Sequence, residues 1–266
     1  VYHTREMQTM VASIVDRFLS ESAGSQVFGL RLLTVGTPNW RTKALPMLTP
    51  VEVQTPGVDA WLLSKENAAR FVAELRRRPD VVEHNSPNLV LHLGQTQTVN
   101  RTRPLPQVRS VQQRPDAWPS HELKMGQIEE GLTAELSPLL SQDGRHVDAV
   151  IKFSVTPVEK FMPVWIDVPT SVDPRQRTQV QVPQTSGWRM HERFRWPADQ
   201  VLLISCGMVP APAIARPKSP VLTKAIFGAP RADALVLVEV KGPGPNSSAG
   251  QTPAARTGNL KYRGRY

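Results

Sequence analysis

Cysteine is nearly missing from this sequence. Cys206 stands alone, so no internal disulfide can form, and its place in the apolar run 201–209 marks it as a small buried residue rather than a reactive thiol. No run approaches the ~18 apolar residues of a membrane-crossing helix, which leaves open only a barrel of alternating strands as a spanning structure. The six histidines, His3, His84, His92, His121, His146 and His191, are scattered, with no pair four residues apart and no cysteine cluster, so metal-ligand spacing is absent. His191 and Glu192 come nearest to one, but neighbours in an extended strand face opposite sides. There is no glycine-rich phosphate loop and no Gly-x-Ser-x-Gly elbow, and Ser141 and Ser205 have no partner that the sequence identifies. No enzyme activity, metal or cofactor is expected. No charged stretch followed by an apolar run opens the chain, so a secretory leader is expected to lie outside it or to have been removed.

Proline is abundant, at 25 of 266 residues, which argues for short strands and loops over long helices. The net charge is +9, but five basic residues of the tail 241–266 (Lys241, Arg256, Lys261, Arg263 and Arg265) stand there with no acid. The rest of the chain is mildly basic, and no nucleic-acid partner is expected. That tail is Gly-, Pro- and Ser-rich and is expected to be disordered.

The clearest local pattern lies in 131–155. Val147, Ala149, Ile151, Phe153 and Val155 alternate with Asp148, Lys152 and Ser154, and Leu132, Ala134 and Leu136 alternate with Thr133 and Glu135. Asp143-Gly144 between them favours a tight turn, so the stretch predicts a β-hairpin. Upstream, 4–19 carries Met7, Met10, Val11, Ile14, Val15, Phe18 and Leu19 at helical spacing, an apolar stripe that needs a partner. Residues 27–35 read as a strand buried on both faces, with a further extended piece near 51–53. Ser64 is placed to cap a helix that buries Ala68, Phe71, Val72 and Leu75 and closes at Arg76-Arg77-Arg78 before Pro79. Strands are expected at 88–93 and 96–99. Residues 190–196 put Met190, Phe194 and Trp196 on one face and His191, Arg193 and Arg195 on the other, and 201–209 and 234–240 are near-continuous apolar strands. Residues 100–127, with four prolines, and 157–187, where Phe161, Trp165, Val180 and Val182 hint at short extended pieces, read as irregular insertions.

The fold class is therefore α+β and β-dominated, of antiparallel strands and hairpins with one or two short helices. It divides into an N-terminal helical segment (1–26), a β domain (27–241) and the tail (242–266).

The order of these segments resembles the C-terminal domain of the secretins, the homo-oligomeric outer-membrane channels of type II and type III secretion and type IV pilus systems. In that family a helix leads to a proline and a strand ending in Gly-Gln, here Pro87 to Gly94 and Gln95. A strand opening on glycine and carrying a proline then turns through Asp-Gly, here Gly131, Pro138, Asp143 and Gly144. A later strand ends in paired glycines, here Cys206-Gly207, and a Leu-Phe pair has its counterpart in Ile226-Phe227. The resemblance covers 27–240. It implies a sheet that closes into an oligomeric barrel in the bacterial outer membrane by strand pairing between subunits, with other secretion or pilus components as partners. It also implies a gate in 100–127, a membrane rim in 157–187 with Phe161, Trp165 and Trp188 as interfacial aromatics or as ordinary core, and a lumen lined by Arg193 and Arg195. The family's Pro-Leu-Gly-x-Ile-Pro turn is replaced here by residues 217–222, and its preceding ring domains are missing or reduced to 2–19. The competing readings are a monomeric β-rich envelope binding module that uses Trp40, Trp61 and Trp118 on loops, a nucleic-acid binder driven by the tail, and an undetected hydrolase.

Overall fold

The computed structural model describes residues 4–19, 25–92, 94–114, 121–141, 143–168, 177–211 and 231–244. Its centre is a large antiparallel sheet in the order β2 (Thr49–Val51), β3 (Asp59–Ser64), β12 (Gln200–Pro210), β13 (Arg231–Pro243), β1 (Gln26–Val35), with β4 (Val81–Asn85) and β5 (Asn88–Leu91) sharing the outer edge of β1. A second, four-stranded sheet runs β11 (Trp188–Pro197), β8 (His146–Thr156), β7 (His121–Leu140), β6 (Gln97–Gln113), and β9 (Val158–Asp167) pairs with β10 (Arg177–Thr185) as a separate hairpin.

The apolar runs dictate three layers. Phe28, Leu30 and Leu32 of β1, Leu202 and Ile204 of β12, and Val236 and Val238 of β13 pack against Leu132, Leu136, Ile151, Phe153, Phe194 and Trp196 of the second sheet. The alternate residues Leu33, Val35, Leu203, Leu235 and Leu237 pack against Trp40 and Ala44 of α2 (Trp40–Ala44) and Phe71, Val72 and Leu75 of α3 (Lys65–Arg76). The central strands are thus covered on both faces, which is why they carry no polar alternation. The second sheet is covered on one face only, so it alternates. The Ser64 hydroxyl accepts from the Asn67 N–H at 3.2 Å and caps α3. Along α1 (Arg5–Leu19) the stripe formed by Met7, Met10, Val11, Ile14 and Val15 remains exposed. No described helix is long and apolar enough to cross a membrane, which says nothing of a β-barrel.

The β-dominated α+β class stands, with α2 as an additional helix. Both expected insertions are corrected. The described residues of 100–127, which are 100–114 and 121–127, do not form an irregular loop: β6 and β7 pair from Gln97↔Leu136 to Gln113↔His121, interrupted by one bulge. Beyond Arg103 and Glu130 the two strands pair only with each other, forming an arm about 30 Å long past the four-stranded sheet. Residues 157–187 contain the β9–β10 hairpin, which includes the extended pieces expected at Phe161, Trp165, Val180 and Val182, and β10 comes close to β6 without pairing with it. The loop tryptophans are corrected too. Trp40 is buried in α2, Trp61 is half-buried in β3, and Trp118 lies outside the described residues. Residues 217–222 and 226–228, Phe227 included, also lie outside them.

Candidate assembly edges

The residues that carried the secretin resemblance sit at breaks in the ladders. The Pro87 carbonyl accepts from the Leu30 N–H at 3.0 Å, bridging the gap where the edge of β1 passes from β4 to β5. Gly94 (φ 80°) lies in a turn held by Gln95, whose N–H donates to the His92 carbonyl and whose side-chain carbonyl accepts from the His92 N–H. The Gly94 N–H in turn donates to the Pro138 carbonyl at 3.1 Å, so two motif positions meet. Backbone groups of one strand residue point the same way, so the N–H that Pro138 lacks faces past the end of β6 and the β7–β8 ladder loses nothing. Asp143 and Gly144 form the expected turn. The Asp143 carboxylate accepts from Ser141 Oγ and the Arg145 N–H, which hold it below the ordinary carboxylate range. In β12, Gly207 (φ 71°) lies in a bulge where Cys206 and Gly207 together oppose the single residue Ala234, and it faces the Gly57 carbonyl.

Gly131 marks the base of the β6–β7 arm. Its φ is 155°, and a Cβ there would lie 2.2 Å from the Arg101 carbonyl oxygen. Next to it Glu130, 1% exposed, accepts from Arg103 Nη2 at 2.9 Å and from the Val158 N–H at 3.2 Å. One buried carboxylate therefore joins the roots of both hairpins. On the β9–β10 hairpin, Met162, Val164, Ile166 and Val182 share one face and are exposed, while Trp165, 63% exposed, stands on the other. Phe161 is half-buried, and Trp188 packs its ring 6.1 Å from that of Phe153 on the core side, so Trp188 belongs to the core.

The second sheet leaves both of its outer strands open among the described residues. The bonds Ser141 N–H to His146 carbonyl and Gly94 N–H to Pro138 carbonyl fix which residues point outward. Counting by twos across the unbroken registers of β8 and β11, the backbone groups of Arg189, His191, Arg193 and Arg195 face the free edge of β11. The same count puts Thr98, Asn100, Thr102, Pro104 and Pro106 on the free edge of β6. Pro104 and Pro106 thus stand only where an N–H has no ladder partner, and they remove the donors from two of those five positions. Arg193 and Arg195 both lie on the exposed face, opposite the buried Phe194 and Trp196. Arg193 is paired bidentately with Asp148, whose carboxyl it holds below its ordinary range. Glu192 turns inward and accepts from the N–H and hydroxyl of Thr55, tying β11 to the loop before β3.

One cluster escaped the sequence. Asp233 is fully buried and accepts from Ser205 Oγ (2.6 Å), Trp40 Nε1 (3.0 Å) and Arg41 Nη2 (3.4 Å). Arg41 also reaches Asp59 and Ser205 and lies 5.5 Å from the centroids of both the Trp40 and Trp61 rings. A lone acid inside the apolar run 232–238 was its only signal. Because Asp233 holds Trp40 and Arg41 of α2 together with Ser205 of β12, the cluster fixes α2 on the sheet. Cys206 is buried beside it, and burial pushes its thiol up. Among the described residues no group of His, Cys, Asp and Glu is placed to hold a metal.

His84 is the extra residue of a bulge in β4, and its Nε2 lies 2.9 Å from Thr34 Oγ1. Burial, and then the charge of Arg101, push it down to about 4 from 6.5. The unfolded chain therefore takes up this proton below about 6.5 while the folded chain does so only below about 4, and acidification through that window favours unfolding. We expect stability to fall by on the order of 2 kcal/mol between pH 7 and pH 4 from this group after discounting for its partial exposure. Urea midpoints should show the fall, and His84→Gln should flatten it. Asp80, held well below its ordinary range by Arg78 and Thr37, adds its loss only below its ordinary value of 3.8. An unchanged slope in His84→Gln would sink the assignment.

No family model matches the chain, and no curated protein matches it. Two solved structures similar to it are type II secretins. One is the pilotin–secretin complex AspS–GspD of ETEC, at 11% identity and a TM-score of 0.32, covering 91% of this chain and 54% of that one. The other is the type II secretin GspD of enteropathogenic Escherichia coli, at 12% identity and a TM-score of 0.30, covering 89% and 74%. Both likenesses are loose, and this chain spans about half the length of the first.

Proposed function

We propose that this chain is a ring-forming subunit of a secretin-like channel or scaffold of the bacterial cell envelope, in which the open edge of β11 in one copy pairs with the open edge of β6 in the next. The observation that carries the reading is the second sheet itself. Its apolar face is already buried within one copy, yet among the described residues both outer strands keep outward backbone groups without a ladder partner. Head-to-tail edge pairing removes such edges from every copy at once. The order of the secretin-like sequence motifs from Pro87 to Gly207 supports the same reading. The arm beyond Pro104, an ordered hairpin rather than a loop, is the element that stands free of the seam and is suited to narrow a lumen.

The test is the mass of the detergent-solubilised protein by light scattering, with negative-stain imaging of the same sample. Rings of about a dozen subunits or more are expected from the motif resemblance, since closing a wide barrel takes many strands. Asn100→Pro removes one outward donor of β6 and leaves its ladder to β7 intact, so it should shift rings toward monomers without lowering the melting temperature by more than a few degrees. A monomer in both detergent and buffer would overturn the reading in favour of a single-copy binding module.

A further inference from the structure

Four of the five residues of β11 whose backbone faces its free edge carry a cationic or imidazole side chain on one exposed face, namely Arg189, His191, Arg193 and Arg195, and the fifth is Pro197 at the strand's end. Lys152 of β8 stands opposite His191 on that face. The two carboxylates there, Glu135 and Asp148, are paired with Lys152 and Arg193, so Arg189 and Arg195 have no ion pair among the described residues. The row repeats every second residue, about 6.7 Å, which is the repeat of alternate side chains in any strand laid beside it. A strand added to this edge would put each of its same-face side chains directly opposite one of the four. The outer strand of a second copy offers Thr98 and Asn100 there, which are neutral, and nowhere in this chain do two carboxylates stand two residues apart.

From this complementarity we infer that the β11 edge is also a docking site for an extended acidic segment of a separate protein, with Asp or Glu at every second position, which adds as a strand and meets the arginine row. The inference rests on the ring reading in one respect. Because the same edge closes the ring, such a partner would hold subunits apart until displaced. Peptide binding and ring mass are separate readouts, so each idea can fail alone.

The experiment uses the full chain and a fluorescent peptide of about ten residues with glutamate alternating with threonine and valine, a typical strand length. The comparisons are a peptide of the same composition with its glutamates in one block, an alternating-lysine peptide, and a single-stranded oligonucleotide of similar length. We expect saturable binding of the alternating-glutamate peptide, at least about tenfold tighter than the blocked one. The double substitution Arg193→Glu with Arg195→Glu should reverse the preference toward the lysine peptide. His191→Pro should abolish binding, because it removes an outward donor without touching the ladder to β8. Equal binding of alternating and blocked peptides would overturn the proposal, as would tighter binding of the oligonucleotide or failure of the charge reversal to change the preference. Peptide binding by a protein that forms no rings would leave the proposal standing and remove the ring reading.

Discussion

Gly131→Ala is expected to lower stability by about 3–5 kcal/mol, among the largest single-residue effects in the chain. The added Cβ would lie 2.2 Å from the Arg101 carbonyl oxygen and 2.7 Å from the Thr102 Cα, and both are backbone atoms of the paired strand that no rotamer change can move. The φ of 155° adds strain of its own. Relief would require β6 to leave β7 at the root of the arm, where Arg103 and Val158 are held by Glu130. Gly187→Ala supplies the control, since nothing lies within 4 Å of its added Cβ, and it should be neutral within about 0.5 kcal/mol. Urea unfolding of both variants decides the matter: equal midpoints would show that the close approach at Gly131 is not real.

The second large effect belongs to Asp233. Replacing it by alanine strips partners from Trp40 Nε1, Ser205 Oγ and Arg41 Nη2 in one step, and removing one member of a buried charged pair costs about 3–5 kcal/mol. Much of that cost is the desolvation of groups left unpaired rather than the worth of the pair itself. Asp233→Asn keeps an acceptor but loses the charge, so it should fall in between. The exposed pair Arg70–Glu66 on α3 gives the scale: Glu66→Ala should cost less than about 0.5 kcal/mol. If Asp233→Ala were as mild as Glu66→Ala, the cluster would not be what holds α2 to the sheet.

Much of this architecture could be read from the chain because each strand reports its own surroundings. The β7–β8 hairpin showed as strict alternation around Asp143-Gly144, since one face is buried and the other wet. The same holds for β11, whose row of arginines was legible before its neighbours were known. β6 was misread because proline is counted as a breaker. Pro104 and Pro106 fall two apart on an outer strand, where the missing N–H groups have nothing to bond, and only the pairing with Glu129 and Gln127 reveals this. The Asp233 cluster was hidden for a different reason. Its members lie 193 and 28 residues away along the chain, and no local period connects them. His84 looked like an ordinary strand residue, because a bulge is a property of two strands and not of one.

The strand count of the second sheet carries a consequence of its own. Four successive antiparallel neighbours leave β11 and β6 running in opposite directions. Copies joined head to tail therefore meet at a seam of the same kind as every internal pairing, and a chorus of any number, odd or even, can close without one discordant parallel join. With three strands the two rims would run the same way, and every seam would be a parallel one set among antiparallel pairings. In the proposed ring, strand direction would thus set no limit on size, which would fall instead to the twist of the sheet and the bulk of the layer behind it.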